Sequence, residues 1–218
     1  NESCAMLKLY DYYRSSAAYR VRIALHLKGL EWQSVPVNLL DGEQREQAYG
    51  QLNPQHLVPL LALPEPRLSQ SLAIIEWLED TYPHPPLLPT EALAKAQVRA
   101  LAYQVAMDIH PLNNLRVVKY LQEDLAVDES QKMRWYRHWI AQGFSALEQS
   151  LQQMKCQGQF CVGARPSLAD VCLIPQVYNA LRFQCELEDY PLIRAVWAHC
   201  NSLTAFQDAA PEAQGQAK

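Results

Sequence analysis

The sequence predicts an α/β domain followed by an all-α domain. Residues 6–83 alternate short apolar runs with helical spacing, whereas residues 90–210 have helical spacing almost throughout. Between them, residues 83–89 contain four prolines in seven positions. Because proline cannot propagate a helix, this segment is predicted to be the boundary between the two domains.

The first domain is predicted to begin with a strand, a helix and a second strand. Leu7 to Tyr10 is a short apolar run typical of a strand. Ala17 to Lys28 has apolar residues three and four positions apart, and Gly29 is well suited to end a helix. Trp32 to Val37 is predicted to be the second strand, parallel to the first because the helix between them is a crossover connection.

A hairpin and a closing helix are expected next, after a polar stretch from Asp41 to Gln51. Leu60 to Leu63 and Arg67 to Ser69 can pair around a turn at Pro64 to Pro66, and Ser71 to Tyr82 has helical spacing. The residues of this helix expected to face inward are Leu72, Ile75, Leu78 and Tyr82. A thioredoxin-like unit has this order of elements: strand, helix, strand, and then strand, strand, helix.

The second domain is predicted to contain only helices. They are expected at Glu91–Ile109, Leu112–Asp124, Glu129–Met154, Leu168–Arg182 and Leu192–Asp208. Ser167 followed by Asp170 is a variant of the capping box, so both are interpreted as fold determinants. The tail from Pro211 to Lys218 is rich in Ala, Gln and Gly and is expected to fray.

Composition argues against several classes of function. The chain has 19 basic and 23 acidic residues, a net charge of -4, which disfavours nucleic acid and membrane surfaces as partners. No segment approaches the roughly 20 apolar residues of a membrane span, and no signal peptide is visible. Asn1 to Ala5 precede the first methionine, Met6, and are interpreted as an appended remnant.

The six cysteines indicate neither a metal site nor a disulfide framework. They contain no Cys-x-x-Cys pair and lack the paired histidine spacing of a zinc site, so no metal is expected. Cys4 lies in the remnant. The other five are interpreted as reduced thiols that act as small core residues, so a cytoplasmic protein is expected. They are Cys156, Cys161, Cys172, Cys185 and Cys200.

The segment from Tyr13 to Leu25 contains the main candidate site. It places Arg14, Ser15 and Ser16 between the first strand and the first helix. The N-terminus of a helix offers free N–H groups and positive potential, which can hold a thiolate or a carboxylate. A serine that only caps the helix fits these residues equally well.

This segment resembles the active-site motif of the zeta class of soluble glutathione transferases. The resemblance also includes Asn53-Pro54, Val58-Pro59, Gln70–Glu76, Pro111–Leu115, Ala169–Val177 and Asn179–Phe183, and it runs from about Met6 to Phe206. It implies the soluble glutathione transferase fold, an α/β thioredoxin-like N-terminal domain plus an all-α C-terminal domain. Maleylacetoacetate isomerases belong to this class, and maleylpyruvate isomerases share the pattern, including Ile109-His110-Pro111.

The resemblance implies that glutathione is the cofactor and suggests how the first domain holds it. Gln70 and Ser71 would hold the γ-glutamyl end, which suits a helix N-terminus. Val58 would pair its backbone with the cysteinyl part, and Pro59 would follow a cis peptide bond. Gln44 would contact the glycyl end.

The serine pair would then lie beside the glutathione sulfur, with Ser15 as the main thiolate donor and Ser16 next. A free thiol has a pKa of about 8.5, so little thiolate exists at neutral pH without such help. The thiolate is the nucleophile. Ala17 stands where many zeta-class relatives have cysteine. This departure removes a polarisable group but leaves the nucleophile, which glutathione supplies.

The reaction implied is cis–trans isomerisation of a small maleyl diketo acid by reversible addition of the thiolate. Arg14 and Arg182 are the candidates for binding the carboxylates and the developing enolate, with a salt bridge as the alternative role of Arg182. His110 and Asn113 are further glutathione-binding candidates, with helix-ending and capping roles as alternatives.

Three functions remain open at this point. The first is an isomerase acting on maleylacetoacetate, in tyrosine and phenylalanine catabolism, or on maleylpyruvate. The second is a transferase that conjugates glutathione to electrophiles such as α-haloacids. The third is a binding module without turnover, which the retained Arg14, Ser15, Ser16 and Arg182 argue against. Members of the family are homodimers, so a homodimer is expected. Arg20 and Arg22 are interpreted as structural.

Overall fold

The computed structural model describes residues 6–63 and 66–215, and the chain divides into two compact units. The first unit contains the chain up to Pro86 and again from Leu203 onward, and the second runs from Leu87 to Ser202. Residues 1–5, which include Cys4, the centre of the predicted hairpin turn and the last three residues of the tail lie outside the described residues.

The first unit contains a mixed four-stranded sheet of order β2-β1-β3-β4. Its strands are β1 (Leu7–Asp11), β2 (Trp32–Pro36), β3 (Leu60–Ala62) and β4 (Arg67–Ser69). Strand β2 is parallel to β1, and β3 is antiparallel to both β1 and β4. The predicted crossover and hairpin are therefore confirmed.

The helices are distributed over both units. They are α1 (Ser16–Leu27), α2 (Gln47–Leu52), α3 (Ser71–Thr81), α4 (Ala92–Tyr103), α5 (Leu115–Glu123), α6 (Glu129–Gln153), α7 (Leu168–Arg182), α8 (Pro191–Cys200) and α9 (Thr204–Ala209). Helix α1 ends as predicted at Gly29, which has φ +64°. The N–H groups of Gly29 and Leu30 donate to the carbonyls of His26 and Leu25, which is a Schellman motif.

Two details of the first unit differ from the sequence-based expectation. The polar stretch contains a 3-10 turn at Glu43–Arg45 and helix α2, whose one buried residue is Tyr49. So short a helix with so little apolar surface has no periodic signal. In α3 the fully buried apolar residues are Ile74, Ile75 and Leu78, whereas the two other residues expected to face inward, Leu72 and Tyr82, are half-buried.

The second unit is helical, as predicted, but α4 ends earlier and α5 begins later than the sequence predicted. After α4 the chain continues as a π-helical segment, Gln104–Ile109, and then as a 3-10 turn, His110–Asn113. The predicted capping box at Ser167 is confirmed. Its Oγ accepts from Ala169 N–H at 3.3 Å, and Asp170 Oδ2 accepts from Ser167 N–H at 2.8 Å.

The prediction of one helix from Leu192 to Asp208 is wrong. The helix breaks after Cys200 and restarts as α9, which packs on α1 within the first unit. The helical unit therefore ends at Ser202, before the predicted limit of 210. The tail does not fray at its start, because Pro211 is buried in a 3-10 turn, Pro211–Ala213.

The five described cysteines are free thiols, and three of them, Cys161, Cys172 and Cys200, are buried in the second unit. Burial raises the pKa of the Cys161 and Cys200 thiols, so both stay protonated. Among the residues described, no helix is long and apolar enough to cross a membrane, and no cluster of His, Cys, Asp and Glu could hold a metal ion.

Candidate active site

The start of α1 is built on a turn that precedes it. Ser15 N–H donates to the carbonyl of Tyr12 at 2.9 Å, and Ser15 Oγ accepts from Ala18 N–H at 3.2 Å. Ser15 is therefore the N-cap of α1, as the simple capping interpretation requires. A hydroxyl that accepts through its oxygen still has a proton to donate, so capping and thiolate stabilisation are compatible.

Arg14 and Ser16 differ in exposure. Arg14 is exposed and lies over the ring of Tyr13, with 5.0 Å from its Cζ to the ring centroid, whereas Ser16 is buried. The first N–H groups of a helix have no acceptor inside it, and only that of Ala18 is taken by Ser15 Oγ. The turn thus combines a half-buried hydroxyl, helix N–H groups and an exposed guanidinium, which suits an anion.

Arg22 holds this turn from the interior of the unit, as expected of a structural residue. Its Nη2 donates to the carbonyl of Tyr13 at 2.8 Å, its Nη1 to Asp11 Oδ1 at 2.8 Å and its Nε to the carbonyl of Ala209 at 2.9 Å. Burial raises the pKa of Asp11, and the adjacent Arg22 guanidinium opposes that rise. One side chain thereby joins β1, α9 and the turn at residues 12–16, which we call the serine turn.

The start of α3 has a distinct geometry. Gln70 is its N-cap, with φ +72°, and Gln70 Nε2 donates to Gln55 Oε1 at 2.8 Å. A positive φ in a non-glycine residue is sparsely populated and often marks a functional site. Ser71 is the first helical residue of α3. Its Oγ accepts from Arg20 Nη1 at 3.1 Å.

The segment before β3 has backbone N–H and C=O groups that are free to bind a ligand. The Val58–Pro59 peptide bond is cis, as the resemblance implies. Tyr49 Oη and Asn53 Nδ2 both donate to the carbonyl of Leu57, at 2.6 and 2.9 Å. Within residues 6–63 and 66–215, the N–H and C=O of Val58 have no hydrogen-bond partner. They are available to an extended peptide ligand.

These parts of the first unit lie together. Val58 packs in one apolar cluster with Tyr12, next to Tyr13 of the serine turn. The bond from Gln70 to Gln55 joins the start of α3 to the loop before Val58, and the bond from Arg20 to Ser71 joins α1 to α3. The structure therefore gathers the serine turn, Val58 and Gln70–Ser71, which the resemblance assigned to one ligand.

Gln44 lies in the 3-10 turn that follows β2. Its side chain is buried, and its Nε2 contacts the carbonyl of Leu39 at 3.4 Å. His56, which the sequence did not single out, bonds through Nδ1 to the carbonyl of Gln44 at 2.8 Å. Gly50 makes room for that ring, because a Cβ there would lie 2.6 Å from His56 Cε1.

In the second unit, His110 is half-buried at the start of the 3-10 turn, and Asn113 at its end is 7% exposed. Helix α5 is capped by Asn114, whose Oδ1 accepts from Arg116 N–H at 3.1 Å, so capping is not the role of Asn113. In the part of the chain that the structure describes, neither Oδ1 nor Nδ2 of Asn113 has a hydrogen-bond partner.

Arg182 is exposed at the end of α7 and stacks on Phe183, with 5.2 Å from its Cζ to the ring centroid. No salt bridge to Arg182 exists among the described residues, so the alternative role suggested for it is not seen there. Burial raises the pKa of Tyr136, and the hydrogen bond to Asn179 and the charge of Arg182 partly oppose that rise. Tyr136 Oη donates to Asn179 Oδ1 at 2.6 Å.

A β2-β1-β3-β4 sheet with a serine turn at α1 and a cis-proline before β3, followed by an all-helical unit, is the fold of a glutathione transferase. Residues 9–86 match the family model described as the glutathione S-transferase N-terminal domain, and residues 139–204 match the C-terminal domain. The chain belongs to the glutathione S-transferase family, in its zeta class. The predicted family and fold class are confirmed.

Individual relatives are similar over almost their full length. The chain is 51% identical to a probable maleylacetoacetate isomerase of Vibrio cholerae, over 97% of this chain and 98% of the relative. The holo structure of a maleyl pyruvate isomerase, a bacterial zeta-class glutathione S-transferase, has a TM-score of 0.95 and 47% identity, covering 97% of this chain and 100% of the other. A maleylacetoacetate isomerase of Anaeromyxobacter dehalogenans, with bound dicarboxyethyl glutathione and citrate, has a TM-score of 0.86 and 40% identity, covering 98% of both chains.

Proposed function

We propose that the chain is a glutathione-dependent cis–trans isomerase that converts maleylacetoacetate to fumarylacetoacetate. The observation that carries this proposal is the serine turn, in which Ser15 keeps a hydroxyl proton while it caps α1. The name of the 51% identical relative supports maleylacetoacetate as the substrate. Maleylpyruvate is the second candidate, favoured by the relative of TM-score 0.95.

Glutathione is the cofactor in this proposal, and each of its parts meets a suitable group. The cysteinyl backbone pairs with the N–H and C=O of Val58, before Pro59. The γ-glutamyl carboxylate meets Ser71 and the N-terminus of α3, beside Gln70. Gln44 is proposed to contact the glycyl end, because its buried Oε1 has no hydrogen-bond partner among the described residues.

The thiol of glutathione lies at the start of α1 in this scheme. Ser15 Oγ–H donates to the sulfur, Ser16 is the second donor, and the helix N–H groups add positive potential, which together favour the thiolate. Ala17 contributes no polar group here, so the hydroxyls and the helix terminus are the stabilising groups of this turn.

The reaction proceeds by conjugate addition and its reversal. The thiolate adds to the cis double bond of the maleyl diketo acid, forming a C–S bond and moving the electron pair into a dienolate. The former double bond is now single and rotates. Collapse of the dienolate expels the thiolate and leaves the trans product, so no glutathione is consumed. Arg14 and Arg182 are proposed to bind the carboxylates and the enolate.

The relative bound to dicarboxyethyl glutathione supports this chemistry, since that ligand joins glutathione to a group with two carboxylates. His110 and Asn113 are proposed as additional glutathione-binding residues, Asn113 because its buried amide has both hydrogen-bonding atoms open among the described residues. We further propose a first domain, residues 6–83, that binds glutathione and a helical domain, starting at residue 90, that binds the substrate.

The cellular setting is inferred from the family alone. We propose a cytoplasmic homodimer that acts in the catabolism of aromatic acids, among them tyrosine and phenylalanine. Analytical ultracentrifugation across micromolar concentrations tests the dimer, and sedimentation at one monomer mass throughout would overturn it.

The function is tested by following maleylacetoacetate and maleylpyruvate, each with its fumaryl hydrolase coupled in, with and without glutathione. We expect catalytic turnover that requires glutathione and leaves its concentration unchanged. Stoichiometric loss of glutathione would instead indicate a transferase that conjugates electrophiles such as α-haloacids. Binding of glutathione without turnover of either substrate would contradict the isomerase proposal.

A further inference from the structure

Arg20 makes a buried contact with the residue that is proposed to bind the γ-glutamyl carboxylate. It lies on α1, is 3% exposed, and its Nη1 donates to Ser71 Oγ at 3.1 Å. Ser71 is itself only 6% exposed and is the first residue of α3. The bond therefore joins the helix that begins at the serine turn to the helix that begins at Gln70–Ser71.

The chemistry of this bond fixes the direction of the Ser71 hydroxyl. A guanidinium has only donors, so the Ser71 oxygen must be the acceptor. The single hydroxyl proton then points away from Arg20. In the described part of the chain no acceptor takes this proton. The group best placed to accept it is an anion at the N-terminus of α3, where the helix potential is positive.

The backbone before Ser71 keeps this geometry in place. Gln70 adopts φ +72°, and its side chain is tied to Gln55 at 2.8 Å, so the N-cap is held from outside the helix. The Ser71 hydroxyl and the first N–H groups of α3 therefore lie together at one helix end, where donors to one carboxylate can act jointly.

We propose that Arg20 is a positioning residue of the carboxylate subsite, which orients the Ser71 hydroxyl as a donor to the α-carboxylate of the γ-glutamyl group. This inference rests on the proposed function, since it takes glutathione as the ligand. It extends the structural interpretation of Arg20. A residue that only ties α1 to α3 would affect all ligands equally, whereas a positioning residue affects ligands that possess this carboxylate.

The experiment compares two ligands by isothermal titration calorimetry: glutathione and γ-aminobutyryl-cysteinyl-glycine, which lacks only the α-carboxylate. The measured quantity is discrimination, the Kd of the analogue divided by the Kd of glutathione. We expect Ser71→Ala and Arg20→Met each to reduce discrimination by about ten- to hundredfold, the range for one hydrogen bond to a charged group. The double variant should lose little more than either single variant, because both act through one hydroxyl.

Two further variants complete the test. Arg194→Met removes an exposed guanidinium from the second unit and should leave discrimination unchanged. Arg20→Lys keeps a buried cationic donor and should stay within about threefold of the wild type; it replaces Arg20→Met if that variant does not fold. A folded Arg20→Lys with the full loss seen in Ser71→Ala would overturn the proposal.

Unchanged discrimination in Ser71→Ala would also overturn the inference, as would equal weakening of both ligands in Arg20→Met. These results differ from a failure of the proposed function, in which the wild-type protein would not bind glutathione at all.

Discussion

Arg22 Nη2 donates to the carbonyl of Tyr13 at 2.8 Å, two residues before Ser15. The same guanidinium forms a buried ion pair with Asp11, whose side chain is 1% exposed, and bonds to α9 through Ala209. The position of the serine turn therefore depends on a fully buried residue, and on a helix that lies almost at the end of the chain.

Replacing Arg22 with methionine should destabilise the protein by about 3–5 kcal/mol, because Asp11 would be left buried without its partner. Urea unfolding followed by circular dichroism measures this loss. Lys132→Met is the matched control, since its partner Glu129 is largely exposed, and it should cost less than about 1 kcal/mol. Similar losses in the two variants would contradict the importance assigned to Arg22.

Ser15 combines two roles that a pair of substitutions can separate. Ser15→Gly removes the hydroxyl while costing only about a few tenths of a kcal/mol in helix capping, and Ser15→Thr keeps the hydroxyl. We expect Ser15→Gly to retain most of its stability but to lose about tenfold or more in kcat/KM, because one hydrogen bond to the thiolate disappears. Thiolate absorbance as a function of pH should show a higher pKa for the thiol of bound glutathione in Ser15→Gly.

Ser15→Thr should keep most of the activity and a thiol pKa near that of the wild type. If Ser15→Gly matched the wild type in both measurements, Ser15 would be a helix cap and nothing more.

His26 makes the stability of the first unit depend on pH. Burial lowers the pKa of His26, the nearby Asp208 raises it and Arg22 lowers it, with burial the largest effect. Because the folded pKa lies below the unfolded one, the unfolded chain binds the proton more readily. The stability due to neutral His26 is present at higher pH and is lost as the pH falls.

We therefore expect the free energy of unfolding to fall between about pH 7.5 and about pH 5.5 more steeply in the wild type than in His26→Gln. Urea unfolding at several pH values measures both slopes, and the comparison removes the contributions of the other histidines. Parallel slopes would show that His26 does not contribute.

Local signals were enough to predict much of this fold from sequence. The spacing in α1, the glycine that ends it and the capping box at Ser167 each depend on residues a few positions apart. The division of the last predicted helix was not visible, because helical spacing continues across Asn201–Leu203. The hydrogen bond between Arg22 and Ala209, which are 187 positions apart, helps to hold α9 in the first unit.

The candidate site, like the fold, could be predicted from sequence only where local motifs mark it. The serine turn and the start of α3 were found through short motifs. The contact between Arg20 and Ser71 was not, because it joins residues 51 positions apart and no local pattern marks it. Capping was likewise an open role for Asn113, and only the packed structure shows that Asn114 caps α5 instead.

Gly143 of α6 allows the π-helical segment to approach closely. A Cβ at this position would lie 2.3 Å from both Cδ1 and Cγ1 of Ile109. Alanine would favour the helix by about 1 kcal/mol, but overlap in a packed core costs about 1–3 kcal/mol. Since contacts this short force a large displacement, we expect Gly143→Ala to be destabilising by about 1–2 kcal/mol in urea unfolding.

The coupling with Ile109 can be measured by a double-mutant cycle. Ile109→Ala removes the two overlapping atoms, so Gly143→Ala should cost less, or become stabilising, in the Ile109→Ala background. An additive cycle would mean that Gly143 is constrained by something other than Ile109.

Replacing Asn113 with an apolar residue is expected to raise the stability of the free protein and to weaken glutathione binding. Its amide is buried, and neither of its polar atoms has a partner among the described residues, which costs stability in the absence of ligand. Asn113→Leu should therefore raise the free energy of unfolding of the ligand-free protein, by about 1–2 kcal/mol. The same change should weaken glutathione binding about tenfold, because a polar contact to the ligand is lost.

Asn114→Leu is the control: it removes the cap of α5, so it should lower stability by about 1 kcal/mol and leave glutathione affinity unchanged. If Asn113→Leu stabilised the protein without affecting glutathione, the residue would be a buried polar group with no part in binding; a loss of stability would mean that the amide is already satisfied in the free protein.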